Sequence, residues 1–399
     1  MLRKRAALPC CAGNPKFQDP STAFGDRDED ENKYQEVLKA LNGGSNDFER
    51  AIKILFGLSE KEKDEYVYRA GVASVGLGEV QRAVEFGIGS EEGKRRLCDW
   101  YGGLNSDLKV LSPSSGDITA YTNIWSSSSS SSPAAALKSF IANAKKGSVR
   151  ALVGEYLASK RFIHPDFDEK RMPKFKKKKK TKDAQIRNPY LDFWVWSCQV
   201  LGWCGPLPNQ RLMGHHLLPV FMHHFGCVVP SHEALSVIKV LAEKKTVLDI
   251  GSGNGYWSWM LRNWYGVATV AVDNAQSEWR VNYLPSETIC LTGTEYLASL
   301  KDHKDTIMML VYPVVGNVEL GTIEGSFTRD LMADYKGDTV VVVGTQNHNG
   351  YTGFKDMTFD EYMEREQKEK GWVRIVQIPL PSFAGKNDAM FVYQRGEGL

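Results

Sequence analysis

Apolar and polar residues follow a helical period through most of the first half of the chain. Apolar side chains recur three and four positions apart, which places them on one face of an α-helix. This spacing predicts helices in ENKYQEVLKAL (31–41), DFERAIKILFGL (47–58), EVQRAVEFGI (79–88), AAALKSFIANAKK (134–146) and SVRALVGEYLASKRF (148–162). The pattern returns in HEALSVIKVLAEKK (232–245), where Ser231 is expected to be the N-cap.

From Lys245 the pattern changes to short apolar runs separated by helical stretches. The seven runs are TVLDI (246–250), ATVAVD (268–273), ETICL (287–291), TIMMLVY (306–312), DTVVVVG (338–344), RIVQIPL (374–380) and AMFVYQR (389–395). Helix-length spacers between the early runs indicate a doubly wound α/β sheet. The short spacing of the last two runs predicts a terminal β-hairpin. The fold class expected is therefore a seven-stranded α/β sheet preceded by a mainly helical N-terminal region.

Shifts in composition divide the chain into four parts. Residues 1–30 are polar and acidic and are expected to be a disordered tail. Residues 31–187 form the mainly helical region, with a serine run (126–132) and a lysine run (170–182) as flexible insertions. An aromatic-rich helical segment (188–227) follows, ending in a helix near His224, and the α/β domain occupies 228–399.

Overall composition limits the class of protein. The chain has 399 residues, 42% of them hydrophobic, enough to bury a sizeable core, and its formal net charge of +2 does not imply a polyanionic partner for the whole molecule. Seven cysteines without a C-x-x-C pair favour a reducing compartment. The basic start is broken by Pro9, and no apolar stretch approaches the roughly 20 residues of a membrane helix. These features predict a soluble protein of the cytoplasm or nucleus.

Three glycines stand where the first apolar run of the sheet meets a helix, in VLDIGSGNGYW (247–257). Such a strand-to-helix turn lies at the carboxyl edge of a parallel sheet, where these folds bind ligands. Glycine lets the ligand approach the main chain closely. Dinucleotide-binding folds favour G-x-G-x-x-G, whereas this turn has G-x-G-x-G. Asp249 would repel a diphosphate but could accept hydrogen bonds from an ammonium group.

This stretch resembles motif I of the class I S-adenosylmethionine (SAM)-dependent methyltransferases, whose fold is Rossmann-like. The resemblance to that family extends over residues 228–395. VPSHEAL, KGDTVVVVG and IPLPSFAGKNDAMFVYQR are also similar to a group of methyltransferase-like proteins without an assigned substrate. The resemblance implies SAM as cofactor, with Asp249 near its amino group and Asp273 on its ribose. The remaining cofactor-binding candidates are Gly251, Ser252, Gly253, Asn254, Gly255, Asn274 and Thr294.

The acceptor side carries a weaker signal. Amino-methylating DNA enzymes have an Asn/Asp-Pro-Pro-aromatic motif after the fourth strand, and this chain has Tyr312 and Pro313 there instead. Family geometry makes Tyr312 and His348 the catalytic candidates, with His348 as a possible base or orienting group. We expect methyl transfer to an oxygen or nitrogen of a small molecule. Two alternatives stay open, an RNA or protein acceptor and a SAM-fold binding protein without turnover.

Other conspicuous residues have ordinary explanations beside functional ones. His215, His216, His223 and His224 are spread too far along a helix to share one ion easily, so no metal is expected. Tyr190, Phe193, Trp194, Trp196 and Trp203 form either core packing or a substrate lid. Tyr256 and Trp257 lie beside the cofactor or in the core. The lysine run is a solvated loop, a nuclear-import signal or an arm that binds nucleic acid.

Overall fold

The structure is a computed structural model, and it describes residues 27–58, 66–70, 73–90, 113–126, 132–173, 186–206, 217–274, 281–314, 323–349, 351–383 and 385–396. The helices are α1 (Arg27–Asn42), α2 (Phe48–Phe56), α3 (Leu77–Gly89), α4 (Ser115–Thr122), α5 (Pro133–Ala142), α6 (Val149–Ser159), α7 (Pro165–Arg171), α8 (Pro189–Val200), α9 (Leu217–His224), α10 (His232–Leu241), α11 (Tyr256–Tyr265), α12 (Gly293–Ser299), α13 (Ser326–Asp334) and α14 (Phe359–Tyr362). The strands are β1 (Val67–Ala70), β2 (Ala73–Gly76), β3 (Phe162–Ile163), β4 (Thr246–Ile250), β5 (Thr269–Val272), β6 (Thr306–Val311), β7 (Thr339–Thr345), β8 (Val373–Pro379) and β9 (Asp388–Gln394).

Seven strands form one mixed sheet in the order β3-β8-β9-β7-β6-β4-β5. The four strands β5, β4, β6 and β7 are parallel, as the doubly wound prediction requires. Strand β9 inserts antiparallel between β7 and β8, and β8 and β9 form the terminal hairpin. The carboxyl ends of β4, β5, β6 and β7 therefore share one edge with the beginning of β9, where Asp388 lies opposite Thr345.

The membership of the sheet differs from the prediction at one strand. The run ETICL (287–291) is wrong as a strand, because only Ile289 pairs, in a single bridge with Val272. The preceding turn ends where Thr288 N–H donates to the Leu284 carbonyl, and Thr292 is already the N-cap of α12. Too few residues remain between them for a ladder of strand hydrogen bonds. The seventh strand is β3, which comes from the helical region and pairs antiparallel with β8.

The N-terminal helices are predicted correctly, and they pack on the sheet as one core. Helix α2 has Asp47 as its N-cap, whose side chain accepts from Arg50 N–H, and Gly57, with positive φ, as its C-cap. Helix α1 begins at Arg27, inside the interval assigned to the tail. One apolar cluster joins Phe48 of α2 and Val341 of β7. A short β1–β2 hairpin is also present, which the periodicity did not indicate.

The aromatic segment around α8 contributes to that same core. Tyr190, Phe193, Trp194, Trp196 and Trp203 are all buried. Trp194 Nε1 donates to the carbonyl of Ser382, just beyond the carboxyl end of β8. These contacts favour the core-packing alternative for the five rings.

Parts of several predictions lie outside the described residues. These are residues 1–26 of the tail, 127–131 of the serine run, the lysine run from 174 onward, and His215 and His216. Among the helices that are described, none is long and apolar enough to cross a membrane.

Candidate functional site

The glycine turn between β4 and α11 has a backbone that only glycine adopts readily. Gly251, Gly253 and Gly255 have φ of 72°, 59° and 73°, in the left-handed region. The N–H groups of Gly251 and Ser252 both donate to the carbonyl of Val272, at 2.8 and 3.0 Å. A Cβ on Gly251 would lie 3.1 Å from Cζ of Phe327, so a side chain there would also crowd a neighbouring ring. The turn is thus fixed against the carboxyl end of β5.

Asp249, two residues before the first glycine, is a buried carboxylate with one free oxygen. Its Oδ2 accepts a 2.7 Å hydrogen bond from Ser258 Oγ, and Oδ1 has no partner among the described residues. Burial, aided by the nearby charge of Asp273 and opposed by the Ser258 hydrogen bond, raises the pKa of Asp249 to about 7. An unpaired buried carboxylate is costly, so this position favours a bound cation.

Asp273 lies at the end of β5, beside the same turn. Its Oδ2 accepts a 2.8 Å hydrogen bond from Gly253 N–H, and Asn274 follows as an exposed residue. Thr294 is in the first turn of α12, with its hydroxyl 3.4 Å from that of Thr292. The structure therefore brings Asp249, Asp273 and the glycines together at one edge.

Two further polar atoms of the turn are buried without a described partner. They are Ser252 Oγ and Asn254 Nδ2, while Asn254 Oδ1 accepts from the Tyr256 N–H. Together with Asp249 Oδ1 they offer one anionic acceptor and two groups that can donate. That set matches a ligand with an ammonium and a carboxylate, the two ends of an amino acid. The residues present fit the methionine part of SAM.

Tyr256 and Trp257, directly after the glycines, belong to the core. Both are buried, and Trp257 Nε1 donates to the carbonyl of Val228 at 3.0 Å. Ser231 is the N-cap of α10, as predicted, and accepts from Ala234 N–H. In that first turn Glu233 pairs with Arg161 of the helical region.

Tyr312 follows β6 at the same edge as the glycine turn and has an unusual backbone. Its φ is 59°, a conformation that a bulky residue seldom adopts and that often marks a functional position. Its N–H donates to the carbonyl of Val343 at 2.6 Å. The Tyr312 hydroxyl is buried without a described partner, and burial raises the pKa of that hydroxyl well above its usual value.

The other catalytic candidate, His348, lies apart from this group. It is largely exposed, and its Nε2 is 3.0 Å from Oε1 of Glu361, which belongs to the N-terminal cap of α14. Among the described residues, the ring of Tyr312 packs with Tyr351 and Lys386, and its hydroxyl has no hydrogen bond to His348. The structure thus places the two candidates in different surroundings.

Two charged residues where the β8–β9 turn meets β9 were not identified from the sequence. Lys386 is fully buried, with Nζ 4.0 Å from the centre of the Tyr312 ring, and Asp388 is buried with neither carboxylate oxygen hydrogen-bonded among the described residues. The available signal was the pair of charges in GKNDAM, directly before an apolar strand. Charges so placed are rarely buried unless they are paired or used.

Of the four histidines in HHLLPVFMHH, His223 and His224 are described, and both lie in the core. His224 stacks on Phe56 at 3.9 Å between ring centres, and its Nε2 is 3.0 Å from the Tyr68 hydroxyl. Burial lowers the pKa of His224 well below its usual value, so it stays neutral. Within the described parts of the chain, no group of three His, Cys, Asp or Glu side chains is arranged to hold a metal ion.

Comparisons with known proteins return structural matches only. No family model matches the chain, and no curated protein matches it. An rRNA methylase from Streptococcus thermophilus is 11% identical with a TM-score of 0.27, covering 39% of this chain and 92% of that chain. A SAM-dependent methyltransferase from Archaeoglobus fulgidus is 14% identical with a TM-score of 0.27, covering 40% and 94%.

A third match is the magnesium protoporphyrin IX methyltransferase of Synechocystis, solved with bound SAM. It is 11% identical with a TM-score of 0.28, covering 41% of this chain and 78% of that chain. All three are methyltransferases, the family that the glycine turn resembles.

Proposed function

We propose that this protein is a SAM-dependent methyltransferase. The observation that carries the proposal is the left-handed glycine turn with the unpaired Asp249 Oδ1 behind it and Asp273 beside it. When bound, SAM supplies a methyl group on an activated sulfonium. Asp249 would accept hydrogen bonds from its ammonium, and Asn254 Nδ2 and Ser252 Oγ would donate to its carboxylate. Asp273, whose carboxylate can accept from two hydroxyls, would hold its ribose.

The two carboxylates also distinguish this ligand from a dinucleotide. The charge of Asp273 raises the free energy of the ionised form of Asp249, and a cation bound at Asp249 relieves that repulsion. A diphosphate would add negative charge at the same place. The electrostatics of the turn therefore support a cationic nucleoside over NAD.

For the acceptor we propose a small molecule. Three polar side chains beyond the glycine turn at this edge, those of Tyr312, Lys386 and Asp388, are 7%, 0% and 1% exposed. Methyl transfer needs an aligned acceptor and exclusion of water more than it needs strong acid–base groups. A covered set of polar groups suits an acceptor that can enter entirely. An RNA or protein acceptor would have to insert a single group.

Calorimetry tests the cofactor. SAM and S-adenosylhomocysteine are expected to bind the wild-type chain, and NAD is not. Asp249→Asn keeps the shape of the side chain and removes its charge, so its SAM affinity should fall at least about tenfold, since charged hydrogen bonds contribute about 1.5–3 kcal/mol. Asp302→Asn is the matched control, because Asp302 is exposed and, within the described parts of the chain, its Oδ1 accepts only from the local Lys304 N–H. Binding of NAD in preference to SAM would overturn the proposal.

A further inference from the structure

A second polar cluster lies at the same edge and on the same face of the sheet as Asp249. Asp388 begins β9, and Met390, two residues on, belongs to the apolar cluster that also contains Val247, two residues before Asp249. Side chains two positions apart point to the same face of a strand. Strands β7 and β6 separate β9 from β4. At about 4.8 Å per strand, the two aspartates are about 14 Å apart across the edge.

The ammonium group of Lys386 has more hydrogen-bond donors than described acceptors in this cluster. Its Nζ donates to the carbonyl of Cys227 at 2.6 Å and lies over the rings of Tyr312 and Tyr351, at 4.0 and 5.2 Å. The ammonium has three donors, and one of them has a described hydrogen-bond acceptor. Aromatic faces stabilise the cation without using its hydrogens.

Asp388 faces this lysine without touching it. Burial raises the pKa of Asp388 to about 6 although the charge of Lys386 lowers it, yet no salt bridge between the two side chains is found among the described residues. Both carboxylate oxygens lack a described partner, as does the Tyr312 hydroxyl. A close pair would satisfy itself, whereas a separated buried pair is costly. The separation therefore suits a group that fits between the two charges.

The backbone around the pair is held firmly by neighbouring elements. Asp388 N–H donates to Ser382 Oγ at 2.6 Å, and Gln346 N–H donates to the Asn387 carbonyl at 3.0 Å. The Asn387 side chain bonds to Gln346 and to the Tyr156 hydroxyl of α6. The helical region thus helps to position the charges, which is the arrangement expected of a prepared site.

We propose that Lys386 and Asp388 bind the acceptor of methyl transfer and that this acceptor is a neutral hydroxyl compound. The inference rests on the proposed function. A hydroxyl oxygen can accept from Lys386 while its proton is donated to Asp388, so one group satisfies both charges. An ammonium acceptor would face the lysine as a like charge, and a carboxylate would face the aspartate.

The pair also accounts for the proton and the charge of the reaction. As the acceptor oxygen forms its bond to the methyl carbon, the carbon–sulfur bond breaks and its electron pair stays on sulfur. The hydroxyl proton passes to the Asp388 carboxylate. Lys386 stabilises the negative charge that develops on the oxygen before the methyl bond is complete. Asp388 is thus the general base, and Tyr312 positions the lysine.

The test uses SAM labelled with ¹³C in its methyl group and the small-molecule fraction of a cell extract. The chemical shift of the transferred methyl carbon separates O-methyl from N-, S- and C-methyl products. We expect an O-methyl product from the full chain. Transfer to nitrogen, sulfur or carbon would overturn the hydroxyl assignment.

Variants test the residues. Asp388→Asn should lower kcat about 10²–10³-fold, the usual contribution of a general base, and leave SAM affinity by calorimetry unchanged. Lys386→Met keeps the apolar contact with the tyrosines and should weaken binding of the isolated methylated product, measured with S-adenosylhomocysteine present, about tenfold. The controls are Asp338→Asn and Lys245→Met, an ion pair at the opposite edge of the sheet.

The outcomes separate the two proposals. A wild-type chain that does not bind SAM refutes the proposed function. SAM binding with transfer unchanged in both Asp388→Asn and Lys386→Met refutes only the acceptor site. If Asp388→Asn fails to fold by circular dichroism, Lys386→Met decides the question through product binding and kcat.

Discussion

Two turns at the same edge of the sheet differ in which groups they use, since one uses its backbone and the other its side chains. The turn after β4 relies on its backbone, with three left-handed glycines and N–H groups that fix it to β5. The turn before β9 relies on side chains, with the buried charges of Lys386 and Asp388 separated from each other. A backbone site requires particular residues next to one another, whereas a side-chain site requires only that the fold bring them together. The backbone site can therefore be predicted from the sequence, and the side-chain site cannot.

The largest expected effect tests the backbone site. Gly253 has φ of 59°, and valine cannot adopt that conformation without strain of about 1–3 kcal/mol. Moving this backbone also breaks the Gly253 N–H bond to Asp273. We expect Gly253→Val to abolish SAM binding in calorimetry, with at least about a hundredfold loss of affinity, about 2.7 kcal/mol.

Gly371→Val is the matched control. Gly371 also has positive φ, of 82°, and nothing lies within 4 Å of a Cβ built on it. It should lose similar stability in thermal unfolding and keep its SAM affinity. SAM affinity like that of the wild type in Gly253→Val would contradict the assignment of the turn.

A smaller effect concerns pH. Burial raises the pKa of Asp249 to about 7, and a bound ammonium favours the ionised form. Affinity for SAM should therefore be full above pH 7 and should fall about tenfold between pH 8 and pH 6, because a proton then competes with the ligand. Calorimetry across this range measures it, and Asp249→Asn should show no such slope.

The Asp249 carboxyl affects folding stability with the opposite pH dependence: SAM affinity should rise with pH, whereas its contribution to the free energy of unfolding should fall. Because its pKa is raised in the folded state, the stabilising effect of its proton is complete below pH 4 and is lost as the pH rises through 7. The stability of the ligand-free Asp249→Asn variant should thus overtake that of the wild type as the pH rises. A steeper rise of wild-type stability with pH would be inconsistent with an unpaired Asp249.

The smallest expected effect concerns Tyr312. Its hydroxyl is buried without a described partner, so Tyr312→Phe should leave the free energy of unfolding unchanged or raise it by up to about 1 kcal/mol. The ring below Lys386 stays in place, and methyl transfer should change less than in Lys386→Met. Denaturant unfolding measures the first quantity. A clear loss of stability would indicate that the hydroxyl has a partner in the folded protein.

The strands could be predicted where each one is a continuous apolar segment of the sequence. Six of the seven apolar runs are strands, because strands that are buried on both faces, whether parallel or antiparallel, read as continuous apolar segments. The strand predicted around Ile289 is wrong, because the backbone groups on either side of Ile289 are hydrogen-bonded in the preceding turn and in the N-cap at Thr292. Strand β3 has two residues and no detectable period, so only its pairing with β8 reveals it.

The candidate site divides in the same way. Asp249, the glycines and Asp273 belong to one βαβ unit, and their spacing along the chain is enough to place them together. His348 was chosen because it follows β7, but the loop after the strand carries it to Glu361 at the surface. The position of a residue in the sequence shows which strand its loop follows, but it does not show where in the folded protein the side chain lies.

The sequence alone determined the α/β class, the helical character of the first half and the position of the glycine turn. Each of these depends on backbone conformation and on the period of apolar residues, which are local properties of the chain. Only the tertiary structure decided that Cys227, Tyr312 and Lys386 meet, that Asp388 is buried near them and that β3 closes the sheet. These residues are far apart along the chain and come together because β9 inserts between β7 and β8.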